Sequence, residues 1–393
     1  MNNKKKIKIL RIINRFNIGG PTYNAVFLTK YLSEEFETLL IGGLPEESEA
    51  DSLHILREYG VEARLLKEMK RKPNFFSDTK AYKEIKEIIK EFNPDIVHTH
   101  ASKAGALGRK AAHYCKVPII VHTFHGHVFH SYFGKIKTTI FKLIERYLAY
   151  KTTSIIAISD LQKKELSNEH KVCSPKKIEV ISLGFDLTRF KENKTENRKK
   201  TRAKYNLKNE QVAVCITGRL VPIKNHDFFL KAVTDISKKT TKEVVFFIVG
   251  DGELNNEISL KTKTMKLQGI DIRMTSWVKK IHEFNAGMDI ICLTSHNEGT
   301  PVSLIEAQAS GLPVISTNVG GVLNVVKNNQ TGFVIDKNDL DSYVEKLLVL
   351  IENKSLRDEF SSRGWDFVGE KFHFNALVKK TEKHYKDLLN KRR

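Results

Sequence analysis

The chain has 393 residues, long enough for two domains with cores of their own, and its 40% hydrophobic content suits a globular protein. No stretch approaches ~20 uninterrupted apolar residues, so no membrane-spanning helix is expected. The net charge of +20 admits partners of opposite sign: nucleic acid, an anionic membrane surface or phosphorylated ligands.

The chain begins MNNKKKIKILRII, a basic run followed by a short apolar one. A long hydrophobic region and a small-residue cleavage site are both missing from it, so it reads as a first strand and not as a signal peptide. Short β-rich runs then alternate with helical patterns, the mark of βαβ units and parallel sheets. Strands are expected at 7–13, 37–41, 62–66, 95–99, 118–123, 154–158 and 178–182, and again at 212–217, 243–249, 271–275, 288–293, 314–316 and 332–335. Between the two sets lies a charged, weakly hydrophobic segment. It divides an N-terminal domain (1–190) from a C-terminal one (207–369), with residues 191–206 as linker. The tail is helical by period and aromatic enough to pack on something. Cys115, Cys173, Cys215 and Cys292 are scattered without paired spacing, which suggests a reducing cytoplasm and no zinc site.

In open parallel sheets ligands bind beyond the C-terminal strand ends, so the segments following each strand carry the interest. After the first strand, Gly19 and Gly20 form a loop leading into a helix, a place where backbone can approach a ligand. Further on come VHTHASKAGALGRKAA and VHTFHGHVFH, with His98, His100, His122, His125, His127 and His130. No helical H-x-x-x-H pair occurs among them, so zinc is disfavoured against satisfied strand-end histidines. From Ala101 to Lys151 there are nine Lys or Arg against one acid, Glu145. That excess is either solvated surface charge or attraction to an anionic leaflet.

In the second half, ITGRLVPIKNHD places Arg219 and Lys224 at a strand end, five residues apart. Such a pair can clamp a diphosphate, Arg with a planar fork and Lys with a compact charge. VGDGE supplies Gly250, Asp251 and Gly252, which shape the site without reacting. Then comes EGTPVSLIEAQASGLPVISTNVGG, with Glu298 just before a helix and Glu306 within it. Thr300 is expected as N-cap, Pro301 as the first helical residue and Gly311 as the left-handed stop. The helix-end amides between the two carboxylates suit an anion. A D-x-D follows at Asp339 and Asp341, but it opens a helix, so capping explains it better than a metal.

The run E-G-x-P-x-x-x-x-E-A, followed by G-x-P-V-I and G-G, resembles the donor-site signature of glycosyltransferase family 4, and the likeness extends over nearly the whole chain. These are retaining enzymes of GT-B architecture: two Rossmann-like, doubly wound parallel-sheet domains facing across a cleft. The resemblance implies that a C-terminal helix at about 370–393 packs back on the first domain. It implies transfer of a sugar from a nucleoside diphosphate, UDP before GDP, without metal or cofactor. By this likeness His125 touches the transferred sugar, with His127 as competitor, and Arg219 and Lys224 hold the diphosphate (the usual K-G is Lys224-Asn225 here). Glu298 would grip sugar hydroxyls and Glu306 ribose hydroxyls, with Gly19, Gly20, Gly250, Asp251, Gly252, Gly299, Thr300, Pro301 and Val302 around the donor. Ser102 and Lys103 match a subset that makes cell-surface polysaccharides, and would lie on the acceptor side. The expected setting is capsule, exopolysaccharide or lipopolysaccharide synthesis at the inner face of the cell membrane, by a cytoplasmic, peripheral protein. A GT-B sugar-nucleotide epimerase is the nearest alternative. A nucleic-acid-binding protein would explain the charge, but no such module or aromatic interleaving is present.

Overall fold

The computed structural model describes residues 5–17, 20–45, 53–70, 72–125 and 135–392. They fall into two units: the first runs to Phe185 and resumes at Phe372, and the second is Asp186–Lys371. The first unit holds a seven-stranded sheet of β1 (Ile7–Arg15), β2 (Phe36–Gly43), β3 (Ala63–Leu66), β4 (Ile96–His100), β5 (Ile119–Phe124), β6 (Ser154–Ala157) and β7 (Ile178–Val180). Its order is β3-β2-β1-β4-β5-β6-β7, all parallel. The second unit holds a six-stranded sheet of β8 (Val212–Thr217), β9 (Val244–Val249), β10 (Ile272–Thr275), β11 (Ile290–Leu293), β12 (Val314–Thr317) and β13 (Gly332–Ile335). Its order is β10-β9-β8-β11-β12-β13, again parallel. Each expected strand is present, with ends within two residues of the expectation.

Strands covered by helices on both faces must be apolar throughout, and β9 (VVFFIV) and β5 (IIVHTF) are β-branched or aromatic almost without break. In each sheet the strand order reverses once, between β1 and β4 and between β8 and β11. Crossover helices diverge to opposite faces there and leave an open crevice at the C-terminal strand ends.

The expected linker is not a linker. Residues Lys194–Lys204 form a helix of the second unit, and the boundary falls at 185/186. Its amphipathicity is electrostatic: Arg198 and Arg202 bond Asp289 at 2.8 and 3.2 Å and also reach the carbonyls of Ala286, Met288 and Gly287. A hydrophobic pattern therefore cannot reveal it. The last helix, Phe374–Asn390, packs in the first unit, where Leu377, Val378 and Tyr385 join Ile9, Ile96 and Ile119 in one core cluster.

Candidate active site

In the second unit the residues following β8 and β11 meet at the strand-order reversal. Lys224 Nζ stands 2.5 Å from Glu298 Oε1, and the Ser295 hydroxyl donates to the same oxygen at 2.6 Å. Both contacts fall on Oε1, so Oε2 has no partner among the described residues. The two loops are stitched together: His296 N–H donates to the Ile223 carbonyl (2.8 Å), and the Thr294 hydroxyl contacts the carbonyls of Lys224 and Asn225 (3.2 and 2.9 Å). Arg219 is exposed and forms no ion pair or side-chain hydrogen bond among the described residues. A guanidinium without a partner, five residues before a paired lysine, is suited to receive a diphosphate, because the free fork has no bond to break first.

The neighbouring loop follows β9. Gly250 has φ +140, and a Cβ there would stand 1.9 Å from the Gly218 carbonyl oxygen. Leu220 N–H donates to the Asp251 carbonyl at 3.0 Å, and the Asp251 carboxylate accepts from Gly252 N–H (2.8 Å) and Asn255 (2.9 Å). Gly250, Asp251 and Gly252 thus brace the backbone beneath Arg219.

Beyond Glu298 the helix is Val302–Ala309, and Pro301, not Thr300, occupies its cap position. With ψ 94 the proline remains extended, so the chain enters the helix one residue later than expected. No side chain caps this end, and the first-turn N–H groups near Gly299 and Thr300 are open to an anion. Gly311, at φ +68, ends the helix as expected. The glycine pair at 320–321 locks the Glu298 turn: Gly321 N–H donates to the Glu298 carbonyl at 3.0 Å, and a Cβ on Gly320 (φ +48) would lie 1.8 Å from that oxygen. Glu306 is half-buried on the helix. Burial pushes its carboxyl up to about 7, against a smaller lowering by the nearby Arg189 charge. Asp339 of the D-x-D accepts from Ser342 N–H at 2.9 Å and caps the helix Leu340–Glu352.

In the first unit the corresponding reversal gathers Arg11 of β1 and His98 and His100 of β4, with His125 just beyond β5. Arg11 is fully buried with no carboxylate partner among the described residues. Its Nη1 lies 3.0 Å from His98 Nδ1, 3.5 Å from His100 Nε2 and 3.3 Å from the Tyr385 hydroxyl. His98 Nε2 meets the Thr123 hydroxyl at 2.7 Å, and His100 Nδ1 meets His125 Nε2 at 2.8 Å. Burial drives His98 and His100 well below the ordinary imidazole range, with the Arg11 charge adding to it, and burial brings His125 down to about 4. A guanidinium at the centre makes the cluster hostile to a second cation.

The other first-unit expectations divide. Gly20 begins the helix Gly20–Lys30, and Asn24 ties that helix to Gly184 by bonds of 3.1 and 3.0 Å. Gly19 and His127 lie outside the described residues. Ser102 starts the helix Ser102–Tyr114, after Ala101 at φ +66. Lys103 engages Asp78 (2.5 Å) and the carbonyls of Lys70 and Lys72 (2.8 and 2.9 Å), which occupies all three ammonium hydrogens. Packing accounts for much of SKAGALGR: a Cβ on Gly105 would stand 2.5 Å from the His122 ring and one on Gly108 2.6 Å from Thr99.

Residues 18–189 match the family model described as Glycosyltransferase Family 4, and residues 197–366 match that of Glycosyl transferases group 1. The chain is 35% identical over 289 residues to an Escherichia coli protein named UDP-Gal:alpha-D-GlcNAc-diphosphoundecaprenol alpha-1,3-galactosyltransferase, covering 73% of this chain and 74% of the relative.

The chain belongs to glycosyltransferase family 4.

This glycosyltransferase is also 28% identical to the capsular polysaccharide biosynthesis glycosyltransferase CapM of Staphylococcus aureus, over 85% of its own length and 87% of the relative's. Among solved structures, a glycosyltransferase from Rickettsia africae superposes with TM-score 0.80 at 22% identity, covering 98% of this chain and 99% of that one. Anabaena HepE, solved with UDP, superposes with TM-score 0.81 at 16% identity, covering 97% of this chain and all of that one. These likenesses carry the fold, which is GT-B, with two parallel-sheet α/β domains. Sequence reasoning passed over four residues that the glycosyltransferase structure places in the clusters: Ser295, Arg11, Thr123 and Tyr385. Ser295 stood in plain view three residues before Glu298. Arg11 and Tyr385 carried no local signal, since they meet across 374 residues of chain.

Proposed function

We propose that this enzyme transfers a sugar from a UDP-sugar, with retention, to a hydroxyl of a lipid-linked or glycan acceptor in surface-polysaccharide synthesis. The observation that carries the reading is the Lys224–Glu298–Ser295 cluster at the strand-order reversal of the second sheet, with the unpaired Arg219 on the same loop after β8 as Lys224. Departure of the diphosphate builds charge on its oxygens. Arg219, Lys224 and the uncapped helix end at Val302 are suited to stabilise that charge without a divalent ion. The open Oε2 of Glu298 would accept from sugar hydroxyls, and Glu306 from the ribose. The choice of UDP and of acceptor draws on the relatives: the Escherichia coli protein's name specifies UDP-Gal and a diphosphoundecaprenol-linked sugar, and the Staphylococcus aureus protein serves capsule synthesis.

A peripheral membrane location is part of the proposal. No described helix is long and apolar enough to cross a membrane. The helix Lys135–Tyr150, however, shows outward a stripe of Ile140, Leu143, Ile144, Tyr147 and Tyr150, between 43% and 84% exposed. The spacing of three and four residues places them on one face, while Glu145, Leu148 and Ala149 are buried. Lys142 and Lys151 flank the stripe, which fits an anionic bilayer interface.

The test is a donor screen by thermal shift and hydrolysis, followed by transfer to a polyprenyl-diphosphate sugar. A UDP-sugar should be consumed and the product should keep the donor's anomeric configuration. Arg219→Ala should lower turnover on the order of 10²–10³. Isomerised donor in the absence of acceptor would favour the epimerase, and inversion at the anomeric carbon would overturn retention.

A further inference from the structure

The imidazole cluster of the first unit has a direction. Arginine carries only donors and keeps its charge in proteins, so every atom that Arg11 Nη1 addresses must offer a lone pair. His98 Nδ1, at 3.0 Å, is therefore unprotonated, and this ring's hydrogen sits on Nε2, where it donates to the Thr123 hydroxyl. His100 presents the opposite nitrogen: Nε2, at 3.5 Å, faces the guanidinium, and a hydrogen there would point at a buried cation. The neutral His100 ring therefore carries its hydrogen on Nδ1 and donates it to His125 Nε2 at 2.8 Å. His125 Nε2 is thereby the acceptor, and its own hydrogen sits on Nδ1. That atom is buried and has no partner among the described residues.

A buried N–H without an acceptor is costly and rare, and one in a ligand site calls for a partner that arrives with the ligand. Equally unusual is a wholly buried arginine whose partners are all neutral: two imidazoles, the Tyr385 hydroxyl and, from Nη2, the Leu28 carbonyl at 3.4 Å, with no carboxylate among the described residues, because an uncompensated interior charge is expensive to desolvate. One arrangement accounts for both. We infer that Arg11 and His100 are positioning residues that fix the hydrogen of His125 on Nδ1, so that His125 meets an oxygen of the transferred sugar as a hydrogen-bond donor and does not serve as a base. The inference rests on the proposed transferase reading for its ligand, but the proton placement stands on the geometry alone.

Long-range proton–nitrogen spectra of the full chain labelled with 15N-histidine test it, with the His125 signals assigned by their loss in His125→Gln. At neutral pH, Nδ1 of His125 should be the protonated nitrogen and Nε2 the bare one. The Asn amide N–H lies close to the position of a histidine Nδ1–H, so His100→Asn should retain both this pattern and turnover. His100→Leu removes the donor. It should turn His125 into a mixture of tautomers and lower kcat about tenfold with KM for the donor unchanged, the effect of one neutral hydrogen bond. Protonation of His125 on Nε2 in the unaltered protein overturns the inference, as does a His100→Leu variant with unchanged spectrum and kcat. Should His100→Leu not fold, the unaltered chain and His100→Asn decide between these outcomes. The spectra need no turnover: a wrong donor assignment leaves them intact, and a wrong relay leaves sugar transfer intact.

Discussion

At Glu298 a single oxygen holds both Lys224 and Ser295, so under the proposed function the carboxylate competes with an incoming diphosphate for the lysine. Glu298→Gln should therefore tighten binding of UDP alone by a few fold while lowering turnover at least a hundredfold. Calorimetry with UDP and a transfer assay separate the two, and weaker UDP binding in the variant would contradict the competition. Glu306 gives a pH-dependent prediction. Its carboxyl is raised from 4.5 to about 7 in the fold, so between those values the folded chain holds a proton that the unfolded chain has released. Stability from this group is full below about 4.5 and falls as pH rises to about 7. Glu306→Gln removes the penalty: melts at pH 8 should show the variant more stable than the unaltered chain, and melts near pH 4.5 no difference. An equal gap at both values would assign the effect to packing instead. Residues such as Lys224 and Glu298 were legible because their neighbours in sequence, G-R-L-x-P-x-K and E-G-x-P, report their setting. Arg11 was not, because an arginine inside LRIIN looks like any strand residue until β4 and the last helix close around it.

Elements were legible where they follow an apolar period. The strands emerged because parallel sheets demand continuous β-branched runs, and the helix Val302–Ala309 was misplaced at its start only because Pro301 took the cap. The helix Lys194–Lys204 was lost entirely: its contacts are guanidinium to carboxylate and carbonyl, and its composition mimics a solvated tether. The helix Lys135–Tyr150 shows the opposite case, with apolar side chains facing outward. Leu143→Asp should reduce cosedimentation with vesicles containing phosphatidylglycerol several fold and leave the melting temperature within about 2 °C, since the position is exposed. Unchanged vesicle binding, or equal binding to purely zwitterionic vesicles, would remove this face from the membrane account.

Across the whole molecule, the positions of the strands along the chain and their division into two parallel sheets could be read from the sequence, while the order of the strands within each sheet came from the structure and the closing of the first unit by a distant helix was known only by family likeness. Aromatic content in the tail announced that it packs, but not on what. Tyr385 is fully buried and reaches Arg11 and His98, so the tail completes a core and a polar cluster together. Deleting residues 372–393 should expose Ile9, Ile96 and Ile119 and yield an aggregating protein without a cooperative melt. A truncated chain with an unchanged melting curve would show the tail to be dispensable.

The crossings between the units have a practical corollary. Phe185 N–H donates to the Phe372 carbonyl at 2.8 Å, and Phe374 N–H to the Phe185 carbonyl at 3.0 Å. The points where the chain departs and returns are thus fastened to each other by main-chain bonds, and everything from Asp186 to Lys371 is one cassette with adjoining ends. Two splices, at 185/186 and 371/372, would exchange the second unit between relatives. Chimaeras cut there test whether donor preference travels with the exchanged unit, as the proposed function expects.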